Sequence, residues 1–244
     1  MDKSSSTRLI KRDNLPPLLL SIVFLVIGLG FLLVPGLEKS ILVAHNPVYY
    51  NGILFGFLSF ITDAGIPVIL SVYAVLLYSE LRNGGENTRL FLIIFFALFI
   101  AGAAGDILKL IVGRERPVTE LAGLIERVKP FKTLSFPSGH ATKSMALVFP
   151  FLTIPAVKIR FINPLRAFVL FAGVLVAYSR IALQAHFPSD VMGGIAVAIL
   201  FLPVAVFTAD LVIRKNFRKK DGDQFLKKMV LIVFVIIIIG LMIF

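Results

Sequence analysis

The chain has 244 residues, 58% of them hydrophobic, with a formal charge of +11 and a mean hydropathy of +0.93. Soluble domains sit closer to half apolar, and here the excess falls in runs such as "LFLIIFFALFIAGAAG" and "LIVFVIIIIGLMIF". Such runs approach the ~20 residues that cross a bilayer, and the absence of cysteine excludes disulfides and thiolate metal sites. Backbone groups in lipid bond within their own segment, so the expected architecture is all-α, a polytopic membrane helical bundle. One integral-membrane domain over 1–244 uses the whole chain. No basic soluble module exists to bind nucleic acid.

The first fourteen residues are short and polar, and the helix that follows, about Leu15 to Pro35, is read as retained and not as a cleaved signal. Pro16 and Pro17 suit its first turn. In "NPVYYNGILFGFLSFITDAGIP", Asp63 is costly at the bilayer centre, roughly 2.5–3.5 kcal/mol on insertion scales. Asp63 is therefore expected at the interface. That makes 47–61 a surface helix and starts the second crossing near Ala64, ending near Leu81. The alternative is one long kinked helix with Asp63 paired inside the bundle. Further crossings are expected at about 89–112, 140–157, 164–183 and 188–213, with a seventh run at 229–244.

Lys and Arg in short loops set orientation. Lys3, Arg8, Lys11 and Arg12, then Lys158, Arg160 and Arg166, then the cluster from Arg214 to Lys228 all fall on one side, assigned to the cytoplasm. The loop 113–139 falls on the other side and is also basic, against the rule, so its charges have another task. Within it, Leu121, Leu124, Ile125 and Val128 have helical spacing, which suggests an amphipathic lid over 118–135; a disordered connection is the alternative.

Three polar clusters share that outer face. "KLIVGRERP" carries Lys109 and Arg116, seven residues apart, which one continuous helix would point the same way; Gly113 and Pro117 oppose such continuation. "FPSGHA" precedes a helix, so the N–H groups of Ser138, Gly139 and His140 would lie at an anion-binding N-terminus. "SRIALQAHFPSD" ends one helix with Arg180 and starts the next at Pro188, with His186 just outside and Asp190 in the first turn. Singly, these are interfacial cations, a turn and a helix cap. Together they supply three cations, a helix N-terminus, two histidines and a carboxylate, the requirements of phosphoryl transfer. A neutral imidazole can be the nucleophile, with Asp190 as the candidate partner for its second nitrogen. A protonated imidazole can donate to the leaving oxygen. His45 lacks such company and reads as a surface residue; Asp106 is expected inside, near Lys109.

K-x6-RP at Lys109–Pro117, PSGH at 137–140 and SR-x5-H-x3-D at Ser179–Asp190 resemble, in order and spacing, the three signature motifs of the type 2 phosphatidic acid phosphatase family. The resemblance covers about 64–213. It implies a six-helix membrane core, to which the seventh run is extra, and removal of phosphate from lipids without a metal or other cofactor. The family's soluble haloperoxidases fit this hydropathy poorly. Carried over by motif, His186 resembles the nucleophile that forms a phosphohistidine, Asp190 its orienting partner and His140 the general acid. Lys109, Arg116 and Arg180 resemble the phosphate clamp, with Ser138 and Gly139 as further donors.

The expected substrate is a membrane lipid phosphate: phosphatidylglycerophosphate, phosphatidic acid, undecaprenyl pyrophosphate or the 1-phosphate of lipid A. The expected location is a bacterial inner membrane with the site on the periplasmic face, with the bilayer as surroundings and no obligatory protein partner. The rival functions are a lipid phosphotransferase using the same intermediate, and an anion or lipid transporter.

Overall fold

The computed structural model describes residues 15–34, 36–45, 51–83, 87–121, 133–154, 161–216 and 222–243. The described residues form helices and no strand. In chain order these are α1 (Leu15–Leu33), α2 (Leu37–Ala44), α3 (Gly52–Asn83), α4 (Thr88–Val112), the single turn α5 (Pro117–Glu120), α6 (Gly139–Thr153), α7 (Ile162–Ala182), α8 (Pro188–Leu200), α9 (Leu202–Asn216) and α10 (Gly222–Ile243). Among the described residues four stretches are long and apolar enough to cross a membrane, or five if α1 and α2, set at 91°, count as one broken span. The expected amphipathic lid falls mostly on 122–132, outside the described residues.

The region around Asp63 corrects the expected break. α3 runs unbroken for 32 residues through both Asp63 and Pro67. At 1.5 Å per residue it is roughly 48 Å long, well beyond a hydrocarbon core of about 30 Å. The twenty steps from Asp63 to Asn83 account for about 30 Å of it. Asp63 is exposed, not paired inside the bundle. Residues 52–62 continue past it as helix, without the expected break between a surface helix and a crossing. Pro67 cannot donate to the Asp63 carbonyl, yet the helix continues through it.

Other boundaries follow local chemistry. α6 is 15 residues, shorter than the expected 140–157, and Arg166 caps its end by donating through Nε to the Phe151 carbonyl (2.9 Å) and through Nη2 to that of Ile154 (3.0 Å). The expected crossing 188–213 is divided at Phe201, because Pro203 offers no N–H to the Ile199 carbonyl. α10 begins earlier than the expected 229, and its Leu226, Val230 and Phe234 join the central apolar cluster.

Small residues let these helices approach, as is usual in membranes. Gly65 of α3 faces Val176 of α7, Gly173 of α7 faces Val148 of α6, and Gly28 of α1 faces Met192 of α8. The C-termini of α4 and α7 and the N-termini of α6 and α8 meet at one end of the bundle. At the other end Arg89 of α4 pairs with Asp210 of α9 at 2.7 Å.

Candidate active site

Each of the three clusters is shaped by a local break in helix. α4 ends because Gly113 takes a left-handed conformation (φ 65°), its N–H bonding the Lys109 carbonyl at 2.9 Å. Lys109 and Arg116 therefore do not share a continuous helix. Arg116 is extended ahead of Pro117, and the loop turns it back into the site. α7 ends in a similar turn made by Gln184 (φ 53°), a residue type that rarely marks such a stop, with Ala185 N–H reaching back to the Arg180 carbonyl. α8 starts as expected: Pro188 occupies the first turn and the Asp190 carboxylate accepts the Phe187 N–H at 2.9 Å.

The clusters are then stitched together. Ser138 N–H donates to the Asp190 carbonyl at 2.9 Å, tying the start of α6 to α8. Gly194 brings the two helices close: a Cβ there would lie 2.7 Å from the Ser138 carbonyl oxygen. Lys109 Nζ reaches the same turn, 3.8 Å from where a Gly139 Cβ would stand. The peptide bond between Phe136 and Pro137 is cis.

All eight residues singled out from the sequence lie in this one place. His186, Asp190 and Ser138 form a floor at 1% exposure or less, with Arg116 and Arg180 buried beside them. Lys109, Gly139 and His140 are partly open and form the rim. The charges of Arg116, Arg180 and Lys109 act most strongly on His186, and those of Arg180, Lys143 and Arg116 on His140. Ser138 Oγ is buried and has no hydrogen-bond partner among the described residues.

The two faces of the His186 ring differ. Nε2 faces Arg116 Nη1 at 3.3 Å. Arg116 is itself held by the Thr133 carbonyl (2.7 Å), Thr133 Oγ1 (2.7 Å) and the Ala185 carbonyl (3.0 Å). On the other side, Nδ1 lies 3.4 Å from Ser135 Oγ and 3.6 Å from Asp190 Oδ2. Ser135 donates to the same carboxylate oxygen. Burial, then the charges of Arg116, Arg180 and Lys109, hold the His186 pKa well below the usual histidine value. At neutral pH the ring is neutral, and an Nδ1–H tautomer fits both faces.

Three residues join the site that the motifs did not announce. Ser135 stands between ring and carboxylate. Arg114 donates through Nη1 to Asp190 Oδ1 (3.0 Å) and Ser189 Oγ (2.6 Å), and its guanidinium carbon lies 3.9 Å above the Phe187 ring centroid. Glu38, from α2, accepts from Arg114 Nη2 at 2.8 Å and from Ser189 N–H at 2.9 Å. Ser135 and Arg114 adjoin recognisable motifs; Glu38 has no sequence neighbour to betray it. His45 is not a bare surface residue, since Nδ1 lies 2.7 Å from the Ile41 carbonyl and Nε2 3.2 Å from Tyr178 Oη. Asp106, expected inside, is exposed. Among the described residues no group of three or more His, Asp or Glu is arranged to hold a metal ion.

The chain is similar to known proteins. Residues 90–210 match the model of the PAP2 superfamily. Phosphatidylglycerophosphatase B of Bacillus subtilis (strain 168) is 35% identical over 130 residues, 48% of this chain and 62% of that protein, so the match spans less than two thirds of the relative's length. The crystal structure of a transmembrane PAP2-type phosphatidylglycerolphosphate phosphatase from Bacillus subtilis is similar with a TM-score of 0.56 at 20% identity, covering 82% of this chain and 96% of that one. At that identity the likeness concerns the fold, and it reaches well beyond the matched 90–210. With the apolar helices, these matches identify an integral membrane protein, and the chain belongs to the PAP2 superfamily of type 2 phosphatidic acid phosphatases.

Proposed function

We propose that the chain is a membrane lipid phosphatase that works through a phosphohistidine on His186, at the outer membrane face. The observation that carries this reading is the setting of one buried, neutral imidazole, with Nε2 turned to a cluster of cations and Nδ1 turned to Ser135 and Asp190.

In the first step Nε2 attacks phosphorus and the bond from phosphorus to the lipid oxygen breaks. Lys109, Arg116 and Arg180, with the N–H groups at the start of α6 and Ser138 Oγ, hold the non-bridging oxygens as charge builds on them. The ring gains positive charge as Nε2 becomes bonded, and Asp190 offsets it. His140 gives its proton to the departing alkoxide; the negative charge of a bound phosphate favours that protonated state. In the second step water attacks phosphorus, His140 takes the water proton, the P–N bond breaks and inorganic phosphate leaves.

Phosphatidylglycerophosphate is the leading substrate, because the 35%-identical relative is named for it. Undecaprenyl pyrophosphate, phosphatidic acid and lipid A 1-phosphate share the chemistry. Purified protein incubated with each of these lipids is expected to release inorganic phosphate from at least one. Phosphate appearing only on an added acceptor would instead support a phosphotransferase, and lipid or anion flux in liposomes without phosphate release would support a transporter.

A further inference from the structure

We infer that Glu38 is a positioning residue for this reaction, acting through Arg114 to fix the Asp190 carboxylate and, with it, the Nδ1 side of His186. The inference rests on the phosphatase reading above. Glu38 lies on α2, outside the 90–210 stretch that matches the superfamily.

The contacts make a chain. Glu38 is 8% exposed, and a buried carboxylate is costly unless paired. Both of its oxygens are used: Oε1 by Ser189 N–H in the first turn of α8, Oε2 by Arg114 Nη2. The other arm of the same guanidinium holds Asp190 Oδ1, which leaves Oδ2 to Ser135, Phe187 N–H and the imidazole. α2 is tied to the loop carrying His186 by a further bond, Gln184 Nε2 to the Leu42 carbonyl at 2.8 Å.

Charge gives this chain a catalytic consequence. Arg114 alone would cancel the charge of Asp190. Held between two carboxylates, the triplet Glu38–Arg114–Asp190 keeps one net negative charge beside Nδ1. That charge matters most when Nε2 bonds phosphorus and the ring turns cationic, so its effect belongs to the transition state and to kcat, not to KM. A carboxylate that merely stapled α2 to the bundle would affect folding and would add independently to other losses.

The test uses the full-length purified protein and a lipid phosphate that wild type cleaves. Glu38→Gln keeps the size and the bond to Ser189 N–H but removes the charge. It is expected to lower kcat by ~10–100-fold, the usual worth of one charge-assisted interaction, with KM within about twofold. In an Asp190→Asn background the same substitution should cost nothing more. Selective ¹⁵N-histidine labelling gives a readout independent of turnover: the His186 Nδ1–H signal, assigned by its loss in His186→Ala, should shift in Glu38→Gln. Unchanged kcat with an unmoved Nδ1–H signal, or an equal fractional loss in both backgrounds, overturns the inference. If Glu38→Gln does not fold, Glu38→Asp enters the same cycle: one methylene shorter, it cannot hold Arg114 and Ser189 together, so a lower kcat and a shifted Nδ1–H signal are expected in the wild-type background and no further loss in Asp190→Asn, whereas unchanged kcat with an unmoved signal overturns the inference. Failure of the phosphatase reading looks different: wild type releases no phosphate from any lipid, whereas the Nδ1–H signal still decides the role of Glu38.

Discussion

Gly194→Ala adds one methyl group and removes no chemical function, yet it should disable the enzyme. The new Cβ would stand 2.7 Å from the Ser138 carbonyl oxygen, 3.0 Å from Thr142 Oγ1 and 3.2 Å from Ala141 Cβ. Ordinary contact begins near 3.4 Å. The Ser138 carbonyl cannot swing aside, because it accepts from Thr142 N–H (2.9 Å) and Thr142 Oγ1 (3.0 Å), while Ser138 N–H is tied to Asp190 on α8. The start of α6 must therefore back away from α8 by roughly 0.7 Å. Overpacking of this kind costs about 1–3 kcal/mol. The displacement separates the N–H donors of Gly139 and His140 from His186, and misplacements near 1 Å can cost ~10²-fold in rate. The assay pairs kcat for phosphate release with a thermal melt by circular dichroism. Gly30→Ala is the control: nothing lies within 4 Å of its Cβ, so activity should be unchanged and stability equal or higher by up to ~1 kcal/mol. Wild-type kcat in Gly194→Ala would refute the close approach of α6 and α8 and the reasoning built on it.

Three further outcomes are expected. Activity should survive EDTA, since the described residues hold no metal-ligand group; loss in chelator with recovery on adding a divalent metal would overturn the mechanism. His186 must be neutral to attack, and its pKa is held down by burial and by Arg116, Arg180 and Lys109. The acid limb of kcat/KM due to this residue should therefore fall below the ordinary histidine value of about 6.5, and an acid limb above that value would contradict the assignment. Reporters fused within 118–135 should read as external and within 214–228 as cytoplasmic; the reverse would break the charge-based topology.

The parts of the site that were legible in the sequence are those fixed by short-range chemistry. Pro188 starts α8 and puts Asp190 in its first turn, and PSGH starts α6, because such signals act within one turn of backbone. The common face of the three clusters followed from counting apolar runs. What stayed hidden depends on distance or context. Glu38 reaches Arg114 and Ser189 across 76 and 151 positions, and no local pattern encodes that meeting. Arg114 occupies a variable position inside K-x6-RP. Gln184 adopts a left-handed turn usually made by glycine, so its role in turning His186 inward had no compositional sign. Asp63 suggested a break at the interface between a surface helix and the second crossing, but α3 continues through both Asp63 and Pro67, because a helix long enough to extend beyond the hydrocarbon core need not end at a charged residue.

The central claim is that His186 attacks phosphorus while His140 serves the leaving group, and a pre-steady-state burst tests it most directly. A lipid alkoxide needs a proton to leave, so with lipid substrates His140→Ala should lose the ~10²–10⁴-fold typical of general acid catalysis. An aryl phosphate with an acidic phenol leaves unaided, so His140→Ala should still give a phenol burst from a substrate that wild type accepts. His186→Ala should give none with any ester. A burst that survives in His186→Ala and vanishes in His140→Ala would contradict the account.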